Sequence, residues 1–455
     1  YNLDNCLTGY GTTGGPDFTL SASQNGSIDG LGRLVNASET IGAASHSLSY
    51  SYDSTGQLKT WQMDAVQHNY SYDKAGNVQN MTVGQNATNY GYTGDLMTSA
   101  GTSGLNWDDN GRLKTSLTAS LVYNWDGKLR SATSGSNSLS CKYDPDGNRI
   151  YKNSTADGSQ KYIVDIAGEL PVVLLAVNND PNVQMGDYAF YYANAQILAQ
   201  HAHTNPADPN FYVTYFYLHD RLGSVRAVIN TSGSIVNSYT YEPFGKNYAV
   251  SETVYNPFGF TGQWYDSEIG QYYLRARQYE PTLMRFTDKD LQFGERELPL
   301  TIHKYLYCLN DPVNNIDPSG EIYMNVANAL QAATTVYSAG LLIAAYGTDK
   351  QNFELIVAGG FIMQLTPLAY GLGLGFGDKV VTVTRWGDPG TGPGWVMGGG
   401  KNPLNYLLSG KWQPGMGNQF AAYGTGHSWQ VMASELGFPS GWKWVFGFFG
   451  QLVLK

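Results

Sequence analysis

The chain has 455 residues, of which 14% are charged and 42% hydrophobic, and carries a formal net charge of -10. That length holds about two or three domains, and the apolar content orders them. The acidic balance, without a basic patch, excludes a nucleic-acid-binding footprint. Cys6, Cys141 and Cys308 are too far apart and too few for a disulfide framework or a cysteine metal site, and the scattered histidines (His201 and His203 two apart) predict no metal centre.

The opening Tyr1-Asn2-Leu3-Asp4 has neither a basic n-region nor an apolar h-region, so no signal peptide is expected there. It begins as though inside a pattern, which suggests the C-terminal portion of a longer protein or a short member of its family. The pattern is a recurring phrase. Tyr50-Ser51-Tyr52-Asp53 with Gly56 and Leu58 is followed by Tyr70-Ser71-Tyr72-Asp73 with Gly76 and Val78. Looser copies centre on Tyr90-Gly91-Tyr92 with Gly94, Trp107-Asp108 with Gly111, Tyr123-Asn124-Trp125-Asp126 with Gly127, and Tyr143-Asp144 with Gly147; residues 29–34 form a degenerate first copy. The glycines at 32, 56, 76, 94, 111, 127 and 147 are 24, 20, 18, 17, 16 and 20 residues apart. A recurrence of this size marks a repeat architecture whose units bury their faces against neighbours.

Each unit reads as a β-hairpin. Tyr-x-Tyr places two rings on one face of a strand. Asp-x-x-Gly supplies the turn, because Asp bonds its own backbone and Gly takes positive φ. Stacked hairpins give a long antiparallel sheet, which accounts for 34 tyrosines in a chain that is 13% aromatic. The predicted fold is mainly β: a spiralling antiparallel repeat sheet over residues 1–214, a core segment over 215–320, a hydrophobic helical segment over 321–378, and an α+β tail over 379–455.

Residues 215–320 carry a second set of phrases. They are Tyr217-Leu218-His219-Asp220-Arg221-Leu222-Gly223-Ser224-Val225, Tyr239-Thr240-Tyr241-Glu242-Pro243-Phe244-Gly245, Phe260-Thr261-Gly262-Gln263-Trp264-Tyr265-Asp266 and Tyr272-Tyr273-Leu274-Arg275-Ala276-Arg277-Gln278-Tyr279. Arg285-Phe286 and Asn310-Asp311-Pro312-Val313-Asn314-Asn315-Ile316-Asp317-Pro318-Ser319-Gly320 complete the set. With the repeats before it, this segment resembles bacterial RHS (YD-repeat) proteins over about the first 320 residues; animal teneurins share the YD shell.

The resemblance implies a hollow shell plugged by the core segment, with the chain after Asp-Pro-x-Gly as an enclosed cargo, usually a toxin. It also implies self-cleavage near that motif by an aspartyl-type reaction. Asp317 matches one aspartate of the reaction and Asp290, five residues after Arg285, matches the other; Asp288 competes for that role. Two carboxylates sharing a proton supply both acid and base. Arg277 and Arg285 are expected to orient them or hold the plug. The family's usual Pro after the first aspartate is replaced by Leu291, and Glu321 stands where Leu is usual. The cut is expected within Gly320, Glu321 and Ile322, at Glu321-Ile322 if made.

Residues 322–348 and 355–377 carry no charge, with Asp349-Lys350-Gln351-Asn352-Phe353-Glu354 between them. Two readings stand: a membrane-contacting hairpin, or a pair of buried helices. In the tail, Val380-Val381-Thr382-Val383-Thr384-Arg385 alternates as a strand ending on Arg385, before a turn at Trp386-Gly387-Asp388-Pro389-Gly390. The tail resembles ADP-ribosyltransferase toxins, including those that act on elongation factor Tu. By that resemblance Arg385 binds the NAD phosphates, His427 or Ser428 shapes the nicotinamide pocket, and Gln451 or Glu435 acts near the ribose. Trp386, Trp395 and Trp429 are candidate walls. Expected partners are the chain's own tail, an immunity protein, a secretion apparatus and a bacterial target protein, at a secreted or cell-surface location. The alternative function is a structural or adhesive surface protein that polymerises and has no enzymatic activity.

Overall fold

The structure, a computed structural model, describes residues 27–321 apart from 167–169, 179–186, 194–195, 204–211 and 297, then 323–325. It also gives the backbone of strands Gly9–Gly11, Phe18–Ser21, Thr382–Asp388 and Gly392–Gly398. Two units divide at Met324 and Asn325.

The first unit is antiparallel β throughout. Strands pair with their sequence neighbours in a ten-stranded sheet and then a fourteen-stranded one, which ends at Asn247–Ser251 and crosses residue 214 without interruption. Each repeat has the same local cause. In the Asp53 turn, Asp53 N–H donates to Gln57 O, Gly56 N–H donates to Asp53 O, and Asp53 Oδ1 accepts from the amides of Thr55 and Gln57. Asp29, Asp73, Asp108, Asp144 and Asp220 each repeat this pair of amide bonds. The turn demands positive φ at its glycine, and Gly56 stands at 91° and Gly76 at 90°. The copy at Gly94 differs: there Thr93 and Leu96 pair directly across a two-residue turn.

The strands entering these turns carry a regular irregularity. The register shifts between Ser51 and Tyr52, Ser71 and Tyr72, Gly91 and Tyr92, and Lys142 and Tyr143. Such bulges increase the local twist. They also aim the second ring of each pair at the preceding repeat. Tyr52 OH donates to Leu34 O, Tyr72 OH to Leu58 O, Tyr92 OH to Val78 O, Trp107 Nε1 to Met97 O, and Tyr143 OH to Leu129 O. Neighbouring hairpins are thus stapled by side chain to main chain as well as by the ladder.

The strip returns upon itself. Arg226 Nη2 reaches Glu39 Oε1 and Oε2 at 2.8 Å, and the rings of Tyr70 and Phe244 pack at 5.5 Å. Residues 258–320 form a plug against the strip's buried face, built on a four-stranded sheet from Trp264–Asp266 to Arg285–Phe286. Tyr272, Tyr279, Phe286 and Tyr307 fill its core, with Tyr279 and Tyr307 centred 4.3 Å apart. Burying such rings supplies the main stabilisation. Polar ties join plug to strip along the row of turns: Asn314 to Leu34, Asn310 to Gly76, Tyr305 to Gly111, Thr287 to Leu113, Arg275 to Lys128, and Asp266 to Arg149. Strip numbers rise along this series while plug numbers fall.

In the second unit the described backbone is one hairpin, Thr382–Asp388 with Gly392–Gly398. Arg385 is its fourth residue and faces Trp395 in register, so it stands mid-strand and not at the strand's end as the sequence predicts; the strand continues through Trp386, Gly387 and Asp388 before turning. Among the described residues no helix is long and apolar enough to cross a membrane. The two uncharged runs, beyond residue 325, lie outside the described residues.

Candidate active site

The plug brings together Arg277, Asp290 and Asp317. Arg277 opens the strand Arg277–Glu280, after a tight turn in which Arg275 takes φ 53°. Its guanidinium carbon lies 3.6 Å from the centroid of the Phe286 ring, which holds the group flat and shields it. Nη2 meets Asp290 Oδ2 at 2.9 Å and Asp317 Oδ2 at 3.6 Å, and Nη1 donates to Lys304 O at 3.2 Å. Nε donates to the carbonyl of Gly320.

Asp317 acts on the same peptide from the other side. Its Oδ1 accepts from Gly320 N at 2.8 Å and Glu321 N at 3.1 Å, with Ser319 Oγ at 3.4 Å. The Gly320–Glu321 bond therefore has its carbonyl held by Arg277 and its amide held by Asp317. The loop is fixed further by Arg275, whose Nη1 donates to Pro318 O at 2.6 Å, and by Ala276 N donating to Ser319 O at 3.1 Å. Gly320 takes φ 77°, and a Cβ there would stand 2.2 Å from Leu274 O. Only glycine fits.

Asp290 is anchored by its own backbone: its N–H donates to Lys304 O, and its Oδ1 accepts from Gln292 N at 2.8 Å. Gln292 Nε2 reaches Glu321 Oε2 at 3.3 Å, so the glutamate that departs from the family pattern has a place here. The two aspartates reach a single guanidinium nitrogen. Asp288 is a third carboxyl close to Arg277 and Asp290. Burial pushes it up to about 7 against the pull of Arg277, Lys128 and Arg112, and its Oδ1 has no hydrogen-bond partner among the described residues.

Arg285 does not join this group. In the plug sheet it pairs with Glu280, three residues along from Arg277, and its Nη2 donates to Asp95 O at 3.0 Å with its guanidinium between the Tyr92 and Tyr305 rings. It ties plug to strip. Sequence reasoning missed Arg275 and Lys128. Arg275 sits two residues before Arg277 in Leu-Arg-Ala-Arg, while Lys128 follows a repeat glycine and nothing local marks it. Ile322, His427, Ser428, Trp429, Glu435 and Gln451 lie outside the described residues, as do the side chains of Arg385, Trp386 and Trp395. Among the described residues no group of three or more His, Cys, Asp or Glu side chains is placed to hold a metal ion.

Comparisons with known proteins fit this architecture. The tRNA3(Ser)-specific nuclease WapA of Bacillus spizizenii is 30% identical over 250 residues, covering 53% of this chain and 10% of its own. Teneurin-1 of Mus musculus is 24% identical over 315 residues, 67% of this chain and 11% of its own. This chain thus spans about a tenth of the length of these relatives. Among solved structures, the TcdB2-TccC3-Cdc42 complex superposes with a TM-score of 0.54 at 18% identity over 67% of this chain and 17% of that one, a likeness of fold. The family model of the Teneurin YD-shell matches residues 27–313, the strip and most of the plug together, and the chain belongs to the Teneurin YD-shell family.

Proposed function

We propose that this chain is the shell and plug of an RHS-type toxin, and that it cuts itself at Gly320–Glu321 to free the tail as cargo. The single observation that supports this reading is the grip on that peptide: Arg277 Nε on the Gly320 carbonyl, Asp317 Oδ1 on the Glu321 amide. In the proposed reaction, water adds to the Gly320 carbonyl carbon and gives its proton to the Asp290 carboxylate. Arg277 carries the negative charge that develops on oxygen. Asp290 then returns the proton to the Glu321 nitrogen, the C–N bond breaks, and Gly320 is left as a carboxylate and Glu321 as a free amine. Asp317 orients the leaving amide.

Intact mass of the expressed chain tests this reading. The wild type is expected as two pieces separating at Gly320, and Asp290→Asn or Arg277→Met as one. A wild-type chain that stays whole removes the cleavage, and the structural or adhesive alternative then takes its place. For the tail, transfer from NAD is the proposed activity, resting on the sequence resemblance at Arg385, His427, Glu435 and Gln451. The WapA relatives are tRNA nucleases by name, so the assay offers both substrates: labelled NAD with a bacterial extract, and tRNA. Label on a bacterial protein such as elongation factor Tu supports the transferase; cut tRNA replaces it.

A further inference from the structure

The cut site reaches beyond the plug. Lys128, next to the turn glycine Gly127 of the strip's repeat, sends its Nζ to the main-chain carbonyls of Arg275 at 3.1 Å and Ala276 at 3.3 Å. These are the two residues immediately before Arg277. The ammonium is seated in a groove made by glycine: a Cβ on Gly147 would stand 2.9 Å from Lys128 Cε and 3.3 Å from Nζ. Beside it, the Asp288 carboxyl lies over the same repeat, its Oδ2 3.4 Å from where a Cβ on Gly127 would be. Asp288, Asp126, Glu321 and Asp144 are the carboxylates that offset the cost of burying this lysine. Two strip turns are thus shaped around one lysine that grips the plug, where the local sequence alone would place only a surface charge.

Resting on the self-cleavage reading, we propose that Lys128 is a positioning residue for the cut, and that the site is complete only when the strip's repeat at 124–128 is docked on the plug. The chain of contacts is short. Lys128 holds the Arg275 and Ala276 carbonyls; Ala276 N–H holds Ser319 O and Arg275 Nη1 holds Pro318 O; the adjoining Arg277 holds Gly320. A turn that swings free moves the guanidinium and the peptide apart. Closure of the shell thereby licenses the cut, and a plug not yet seated on its strip stays whole.

The test compares full-length wild type, Lys128→Met and Lys128→Arg. Intact mass is followed against time, and amide exchange is read at Ala276 and Glu321 with each Lys128 form carried in the uncut Asp290→Asn chain, where the Glu321 amide is retained, and with the Asp53 turn as an internal control. Lys128→Met is expected to slow cleavage at least about tenfold, since misplacing reacting groups by about 1 Å costs roughly a hundredfold. It is also expected to speed exchange at Ala276 and Glu321 but not at Gly56. Lys128→Arg, which keeps a cationic donor, is expected to restore both. Cleavage and exchange unchanged in Lys128→Met overturn the inference while leaving the cleavage reading intact. A wild-type chain that stays whole overturns the cleavage reading, and the exchange comparison then still decides whether Lys128 seats the turn.

Discussion

Replacing Gly320 by Ala probes the site with one methyl group. The new Cβ would sit 2.2 Å from Leu274 O and 3.2 Å from Arg277 N, both main-chain atoms. A carbon and a carbonyl oxygen in contact need roughly 3.3 Å, so the loop must retreat by about 1 Å. The φ of 77° costs a non-glycine residue a further ~1–2 kcal/mol. Retreat pulls the Gly320 carbonyl from Arg277 Nε and the Gly320 and Glu321 amides from Asp317. Charged hydrogen bonds of this kind contribute about 1.5–3 kcal/mol each. A displacement of about 1 Å at a reacting carbonyl is expected to slow cleavage about a hundredfold. The assay is intact mass against time after translation, with circular dichroism to show that the β shell has formed. Gly320→Ala cutting at the wild-type rate would refute the reasoning, because the polarised carbonyl would then not be the one cut.

Three further predictions concern the scaffold. Glu280 is buried with its Oε2 on Gln271 Nε2 at 2.7 Å, and burial raises it from 4.5 to about 7. Because the folded value is the higher one, its contribution is full below pH 4.5 and is lost as pH rises through about 7, a change of roughly 3 kcal/mol; Glu280→Gln should flatten that part of the urea-midpoint profile, and an unchanged profile would rule this account out. Asp266 is fully buried against Arg149 at 2.8 Å and 3.0 Å, and its carboxyl, though raised by burial, is held below its ordinary value by Arg149 and Lys152. Its stabilisation is present above the usual carboxylate range and is lost as pH falls through the depressed value; Asp266→Ala should cost about 3–5 kcal/mol at neutral pH by thermal or urea unfolding, and a loss under 1 kcal/mol would count against the latch. Tyr72→Phe removes the staple to Leu58 O at 2.6 Å and should cost about 1 kcal/mol by the same measurement, more if the carbonyl is left dry; no loss would show that the ladder alone holds the repeats.

The hairpins were legible because their cause is local. Asp53, Thr55, Gly56 and Gln57 contain within five residues every group the turn needs, and the same spacing recurs at Asp73 and Asp144. The bulge before each second tyrosine left no such mark, because it is set by how two strands pair and not by either strand. The same division runs through the site. Asp317 shows itself in Asp-Pro-Ser-Gly, whose loop it closes on itself. Arg277 against Arg285 could not be separated in sequence, since the difference lies in the plug sheet's register, where Arg285 faces Glu280. Lys128 meets Arg275 across 147 residues, and a contact of that separation has no local signature.

The falling series of plug residues along the rising series of strip turns acts as a gauge. Repeat arrays ordinarily lengthen by duplicating a unit. One extra hairpin between Gly76 and Gly111 would carry every later turn about 10 Å along the sheet, two strand spacings. Tyr305 would then miss Gly111, Thr287 would miss Leu113, and Lys128 would miss the turn that carries Arg277. Copy number between Leu34 and Arg149 is therefore locked to the length of the plug. Units added ahead of Leu34 would leave the spacing of these ties unchanged.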